Sequence, residues 1–197
     1  MPETLQAPPM LAESPDPPRK RWTREECTAL ESAGVELHRY ELIEGELIQK
    51  VSKDYPHMLA LLSVCAWLRT LFGETLVLQE PSIDVSPGDN PTSLPEPDAV
   101  VLTRPFRELA ARAVPDHIRL VVEVSASTLR FDLTIKAALY ARALIAEYWV
   151  LDIKSRRMIV HRDPAQGKYS SIVAYGEEEF LSPLAAPSAQ VRVADLL

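Results

Sequence analysis

Asp98, Glu123, Asp132 and Lys136 are the residues of this chain whose types and spacing could do chemistry. Pro97-Asp98 opens the run Asp98-Ala99-Val100-Val101-Leu102, and Glu123 sits inside Leu120-Val121-Val122-Glu123-Val124. Each run is apolar except for one carboxylate, and a run this apolar reads as a strand covered on both faces. A carboxylate in such a strand is costly unless its charge is compensated. A bound cation is one compensation and a nearby lysine is another. Two carboxylates to hold a metal, with a lysine near the attacking water, make the set that phosphodiester hydrolysis uses.

Each candidate has a plainer reading. Asp98, taken alone, fits a strand-end carboxylate that caps a turn. Glu123 is harder to dismiss, because glutamate is rarely fully buried without a partner, and its plainer reading is a structural ion pair. Asp132, Lys136 and Tyr140 are spaced i, i+4, i+8 and share one helix face. An isolated Asp-to-Lys helix pair is worth only about 0.3–0.5 kcal/mol. The short turn Ser125-Ala126-Ser127-Thr128 changes that weighing, since it brings the helix start back over the strand end that carries Glu123. Thr128 or Ser127 can cap the helix. Asp132 can hold Lys136 in place or serve as its ion-pair partner. Glu41 and Glu46 lie in a hairpin, where either could supply a further acidic group or simply face solvent. His57 opens a long helix and reads as a capping or surface histidine. Tyr148 and Trp149 read as core.

These residues need elements to position them. Thr23 with Glu26 fits a capping box for a short helix with Cys27 and Leu30 on its apolar edge, and Gly34 stops it. Residues 40–48 alternate on either side of Glu44-Gly45, the mark of a β-hairpin. Residues 56–72 have helical spacing, with Leu61, Val64, Leu68 and Leu71 in one stripe and Gly73 at the end. Residues 75–85 read as a strand, followed by the loop 86–91 and the Asp98 strand. Residues 104–118 form a connector with a short helix over 106–113. After the Glu123 strand comes a strong helix over 129–144, then strands at 147–152, 157–162 and 168–175. Residues 181–197 read as a proline-punctuated arm. This order of elements predicts an α/β or α+β fold, a sheet with helices against it, preceded by an N-terminal helix and the hairpin.

Bulk properties bound the function. The chain has 197 residues, 47% of them hydrophobic, which suits one domain plus a tail. Residues 1–21 are rich in proline and read as a disordered tail, leaving 22–197 as the domain. Cys27 and Cys65 form no Cys-x-x-Cys motif, so they are expected as free thiols rather than a zinc site or a disulfide. No apolar stretch is long enough to span a bilayer, and the N-terminus lacks the pattern of a signal peptide, so no membrane partner and a cytoplasmic location are expected. The net charge of −7 argues against a large non-specific nucleic-acid surface and against tight DNA binding without a metal.

The ordered set Tyr40-Glu41-Leu42-Ile43-Glu44-Gly45-Glu46, His57, Pro97-Asp98, Val121-Val122-Glu123-Val124-Ser125, Ser127-Thr128, Asp132-Leu133-Thr134-Ile135-Lys136, Tyr140 and Glu147-Tyr148-Trp149-Val150-Leu151-Asp152 resembles the Uma family of restriction-endonuclease-like proteins. The resemblance covers roughly residues 22–197. That family is placed in the PD-(D/E)XK nuclease superfamily. The resemblance therefore implies a restriction endonuclease-like central mixed sheet flanked by helices, with Asp98 and Glu123 as metal ligands and magnesium, or manganese, as the ion. The chain departs from the superfamily pattern in one place: the lysine expected two residues after the acid is Ser125, and Lys136 looks like a relocated substitute. Catalytic roles are thus expected for Asp98, Glu123 and Lys136, with Glu41, Glu46 and Asp132 in support. The implied activity is metal-dependent hydrolysis of DNA phosphodiester bonds. Two alternatives stay open: a nuclease-like binding or assembly module without catalysis, and a phosphodiesterase acting on RNA or nucleotides. A homodimer suits a duplex cutter, which uses two sites, although no residue demonstrates one.

Overall fold

The two carboxylate-bearing runs become neighbouring strands of one sheet. In the computed structural model, which describes residues 18–50 and 54–197, the strands β3 (Val77–Gln79), β4 (Ala99–Leu102), β5 (Ile118–Ser125), β6 (Glu147–Asp152), β7 (Arg157–Ala165) and β8 (Lys168–Gly176) lie side by side in chain order. Only β5 and β6 run parallel; every other neighbouring pair is antiparallel. A parallel pair needs a long crossover. Here it is the helical segment made of α3 (Leu129–Phe131), a π-helical turn (Asp132–Lys136) and α4 (Ala137–Arg142). The result is the mixed central sheet with flanking helices that the family resemblance implies.

Both faces of the sheet are covered, which is why the central runs are continuously apolar. Successive side chains on a strand point to opposite faces. Leu120, Val122 and Val124 of β5 join one core with Leu61, Val64 and Leu68 of the long helix α2 (Tyr55–Phe72). The C-terminal arm closes this core with Leu181, Val191, Val193 and Leu196. Val121 turns the other way, into a second core with Val100, Ile43, Leu139 and Tyr140. Glu123 follows Val121 in this alternation and so points into the second layer. Each fully buried valine or leucine contributes about 1.5–3 kcal/mol.

The hairpin is formed by β1 (Tyr40–Ile43) and β2 (Glu46–Gln49), paired in the expected register around Glu44 and Gly45. Both turn residues have positive φ, 50° and 82°, the two-residue turn whose twist matches the strands. Gly45 is required twice over, because a Cβ there would lie 2.7 Å from that of Arg21. The expected capping box of helix α1 (Arg24–Ser32) is present in full between Thr23 and Glu26. Cys27 and Cys65 are free.

Three expectations need correction. The strand over 75–85 is only the three residues of β3, because Glu80 adopts φ 51° and Pro81 has no N–H to continue a ladder. Ile83 and Val85 are still buried, as irregular chain. The helix over 106–113 shrinks to one tight turn, Phe106–Glu108, too short a segment for helix nucleation to succeed. Thr128 does not cap the crossover helix; its hydroxyl goes elsewhere, as described below. The proline-rich segment at 1–17 lies outside the described residues, and residues 18–21 are exposed without regular structure. No helix among the described residues is long and apolar enough to cross a membrane.

Candidate active site

Strand pairing places the two carboxylates. Ala99 is opposite Val122 and Val100 opposite Val121, so one further residue along the register sets Asp98 across from Glu123. The Val124 backbone N–H donates to Asp98 Oδ2 at 2.8 Å and fixes that carboxylate against β5. Asp98 and Glu123 are 6% and 4% exposed. Both line a cavity of about 500 Å³ that also takes in Glu41, His57, Asp132 and Lys136.

Lys136 enters this cavity from the π turn. Its Nζ donates to Glu123 Oε1 at 2.9 Å and lies 3.1 Å from Glu41 Oε1. Tyr140, one turn further on, donates its hydroxyl to the same Glu123 Oε1 at 3.1 Å. Glu41 is held in turn, because the Glu96 backbone N–H donates to its Oε2 at 3.2 Å. That bond belongs to a wider docking of β1 on residues 92–96, which includes Leu94 N–H to the Leu42 carbonyl at 2.6 Å.

Asp132 does not pair with Lys136 as the i, i+4 spacing suggests. Its Oδ2 accepts from the hydroxyls of Ser125 at 2.5 Å and Thr128 at 2.6 Å. The π turn that spans Asp132–Lys136 widens the helix at this point, and the two buried side chains take different partners. Ser125, at the position where the superfamily pattern expects a lysine, thus serves to anchor Asp132. Glu46 on β2 is exposed and does not line the cavity, whereas Glu41 reaches its centre.

The electrostatics follow from burial. Burial pushes the Glu123 carboxyl well above its usual range; Lys136 opposes this, and Asp132, Asp98 and Glu41 add to it. Burial would lower the Lys136 pKa, but Glu123, Glu41 and Asp132 outweigh it and raise it far above the usual lysine value. Lys136 is therefore a fixed cation. The Tyr140 hydroxyl is likewise held neutral, by burial and then by Glu123. Among the described residues that line the cavity, seven are acidic and three are lysines, so its field attracts cations.

Among the described residues, no group of three or more His, Cys, Asp or Glu side chains is arranged to hold a metal ion. Magnesium does not need such a cage, since it binds through one or two carboxylates and keeps waters or phosphate oxygens for the rest. Two buried carboxylates in an acid-rich cavity fit that requirement. His57 is the residue that sequence reasoning undervalued. It reads as a helix-end histidine, and only the packing of α2 over the end of β4 brings its Nε2 to 3.4 Å from Asp98 Oδ1. Tyr140 was visible as the third residue of the Asp132 face, but its role as a donor to Glu123 was not.

A mixed six-stranded sheet with a buried carboxylate pair on two interior strands and a lysine beside it from the crossover helix fits a restriction-endonuclease-like α/β domain. The chain belongs to the Uma2 family, described as "Putative restriction endonuclease", whose model matches residues 24–194. Among solved structures it is similar to the crystal structure of "a putative nuclease belonging to DUF820 from Anabaena variabilis ATCC 29413". The TM-score is 0.66 at 16% identity, covering 88% of this chain and 96% of that one, a likeness of fold. No curated protein matches.

Proposed function

We propose that this chain is a divalent-metal-dependent endonuclease that hydrolyses DNA phosphodiester bonds, with residues 22–197 as its nuclease domain. The observation that carries this reading is the convergence of Asp98, Glu123 and Lys136, all nearly fully buried, on one acid-lined cavity at the end of β4 and β5. Asp98 and Glu123 would hold the cation, magnesium or manganese, with the Val124 carbonyl as a further oxygen. When bound, that cation acidifies water and offsets phosphate charge. Lys136, held as a cation by its carboxylate neighbours, would orient the nucleophile or balance the charge that develops on the phosphate. Glu41 and Tyr140 position Lys136 and Glu123. Asp132, anchored by Ser125 and Thr128, fixes the start of the crossover helix.

A second reading, a nuclease-like binding module without catalysis, draws on one observation: Lys136 already has two carboxylate partners. The two readings separate in a supercoiled-plasmid assay with and without magnesium or manganese. Metal-dependent nicking by the wild type that falls by at least about a hundredfold in Glu123→Ala, in line with the loss of a group that stabilises transition-state charge, supports the nuclease. Nicking unchanged in the folded variant rejects the site. No nicking by either protein favours the binding module.

A further inference from the structure

We infer that Lys154 binds a backbone phosphate next to the scissile one and so positions a nucleic-acid strand over Asp98 and Glu123. The inference rests on the nuclease reading above and adds a substrate-binding residue to it. Three lysines line the cavity: Lys50, Lys136 and Lys154. Two of them are committed to carboxylates. Lys136 lies between Glu123 and Glu41. Lys50 pairs with Glu96 at 2.5 Å and donates to the His38 carbonyl at 3.0 Å. Lys154 is exposed, and among the described residues its ammonium has no ion-pair partner. Of these three cations it is therefore the one left for an incoming anion.

The backbone beneath Lys154 is held in place. Strands β5 and β6 run parallel, with Ser125 opposite Asp152 where both end. The Ile153 N–H donates to the Ser125 carbonyl at 3.1 Å, which sets residue 154 beside residues 126–128 of the same cavity wall. Asp152, 1% exposed, closes the turn into β7: Oδ1 accepts the Ser155 N–H at 3.1 Å and Oδ2 accepts from Arg157 Nε at 3.0 Å. Ile153 packs against the α2 core. Lys154 thus stands on an anchored turn beyond the C-terminal ends of the parallel pair, the end at which open α/β sheets take up ligands. A lysine offers a compact charge on a flexible stem, which suits a phosphate oxygen and carries no information about the bases.

Lys154→Gln tests the assignment in the full-length protein, by fluorescence anisotropy with a non-cleavable duplex at fixed Mg²⁺. One phosphate contact fewer should lower the slope of log K against log salt by about 0.9. Binding should weaken about fivefold at low salt, the effect of one exposed ion pair. The loss should be equal for duplexes of different sequence. Lys154→Arg should keep both the affinity and the slope. Lys168→Gln, which removes the same charge from the outer strand β8, should leave the slope unchanged. In the plasmid assay Lys154→Gln should raise KM with little change in kcat, as expected for binding shared by ground and transition states. A wild type that binds duplex, with slope and KM unaltered in Lys154→Gln, would overturn the role of Lys154 and leave the carboxylate site intact. An equal fall in slope for Lys168→Gln would overturn it as well, since the effect would be one of net charge. A wild type that binds no duplex at any Mg²⁺ concentration would overturn the nuclease reading and Lys154 together.

Discussion

Lys136 concentrates the physics of this protein at the scale of a single residue. An ammonium this deeply buried is tolerable only because Glu123 and Glu41 flank it at 2.9 and 3.1 Å. Removing it would leave two largely buried carboxylates without their cation. Lys136→Met should therefore lose about 3–5 kcal/mol of unfolding free energy, measured by urea denaturation at neutral pH. The sign of the pH dependence is fixed by Glu123. Its folded pKa lies above the usual value of 4.5, and loss of the lysine raises it further. Stability from a raised carboxyl is fully present below the unfolded pKa and is lost as pH rises through the folded one. The deficit of Lys136→Met should accordingly be smallest in acid and grow toward neutrality. A deficit that grows on acidification would mean that Glu123 is not the group left uncompensated.

At the scale of elements, two attachments that sequence patterns do not display bring residues to the site, and a third ties the C-terminal arm to the sheet. The hairpin delivers Glu41 because β1 docks on residues 92–96. The helix α2 delivers His57 because its N-terminus lies over the end of β4. The third attachment is Glu147, fully buried at the start of β6. Its Oε1 accepts from the Trp149 indole at 2.9 Å and from Arg162 at 2.6 Å, and its Oε2 accepts the Leu184 N–H at 2.8 Å. It thereby joins two strands of the sheet to the arm whose Leu181, Val191 and Leu196 close the α2 core. Glu147→Ala leaves the Trp149 indole and the Leu184 N–H without their acceptor, and Arg162 with the Ser182 carbonyl alone. It should cost about 3–5 kcal/mol in thermal or urea unfolding. Cleavage by a protease near residues 182–190 should also become faster than in the wild type, since the arm loses one of its attachments.

At the scale of the whole molecule, charge decides how the chain meets its ligands. The net charge of −7 and the acid-rich cavity set up a field that opposes phosphate, and on the proposed function a cation would offset it. Divalent cation should therefore strengthen binding to duplex DNA, measured by fluorescence anisotropy with a non-cleavable duplex. The same cation should raise thermal stability, by about 2.7 kcal/mol at a hundredfold excess over its Kd. Protons compete with it for Glu123, whose pKa burial raises, so the gain should increase as pH rises. A gain independent of pH, or one that survives Glu123→Ala, would place the ion elsewhere.

Much of this protein was legible in its sequence, for a physical reason. Apolar alternation and turn chemistry are local, so the hairpin at Glu44-Gly45, the Thr23–Glu26 capping box, α2 and strands β4 to β8 could be read directly. A lone carboxylate in an apolar strand also marks itself, and Asp98 and Glu123 stood out for that reason. The family pattern brought the mixed sheet with it. Tertiary structure decided what depends on distance in space rather than along the chain. The choice of Glu41 over Glu46 turned on which hairpin strand docks on residues 92–96. The parting of Asp132 from Lys136 turned on a π turn that helical spacing does not announce. The entry of His57 into the cavity turned on where one helix begins relative to one strand end. Sequence determines which charges cannot afford to be alone; only packing determines which partner each of them finds.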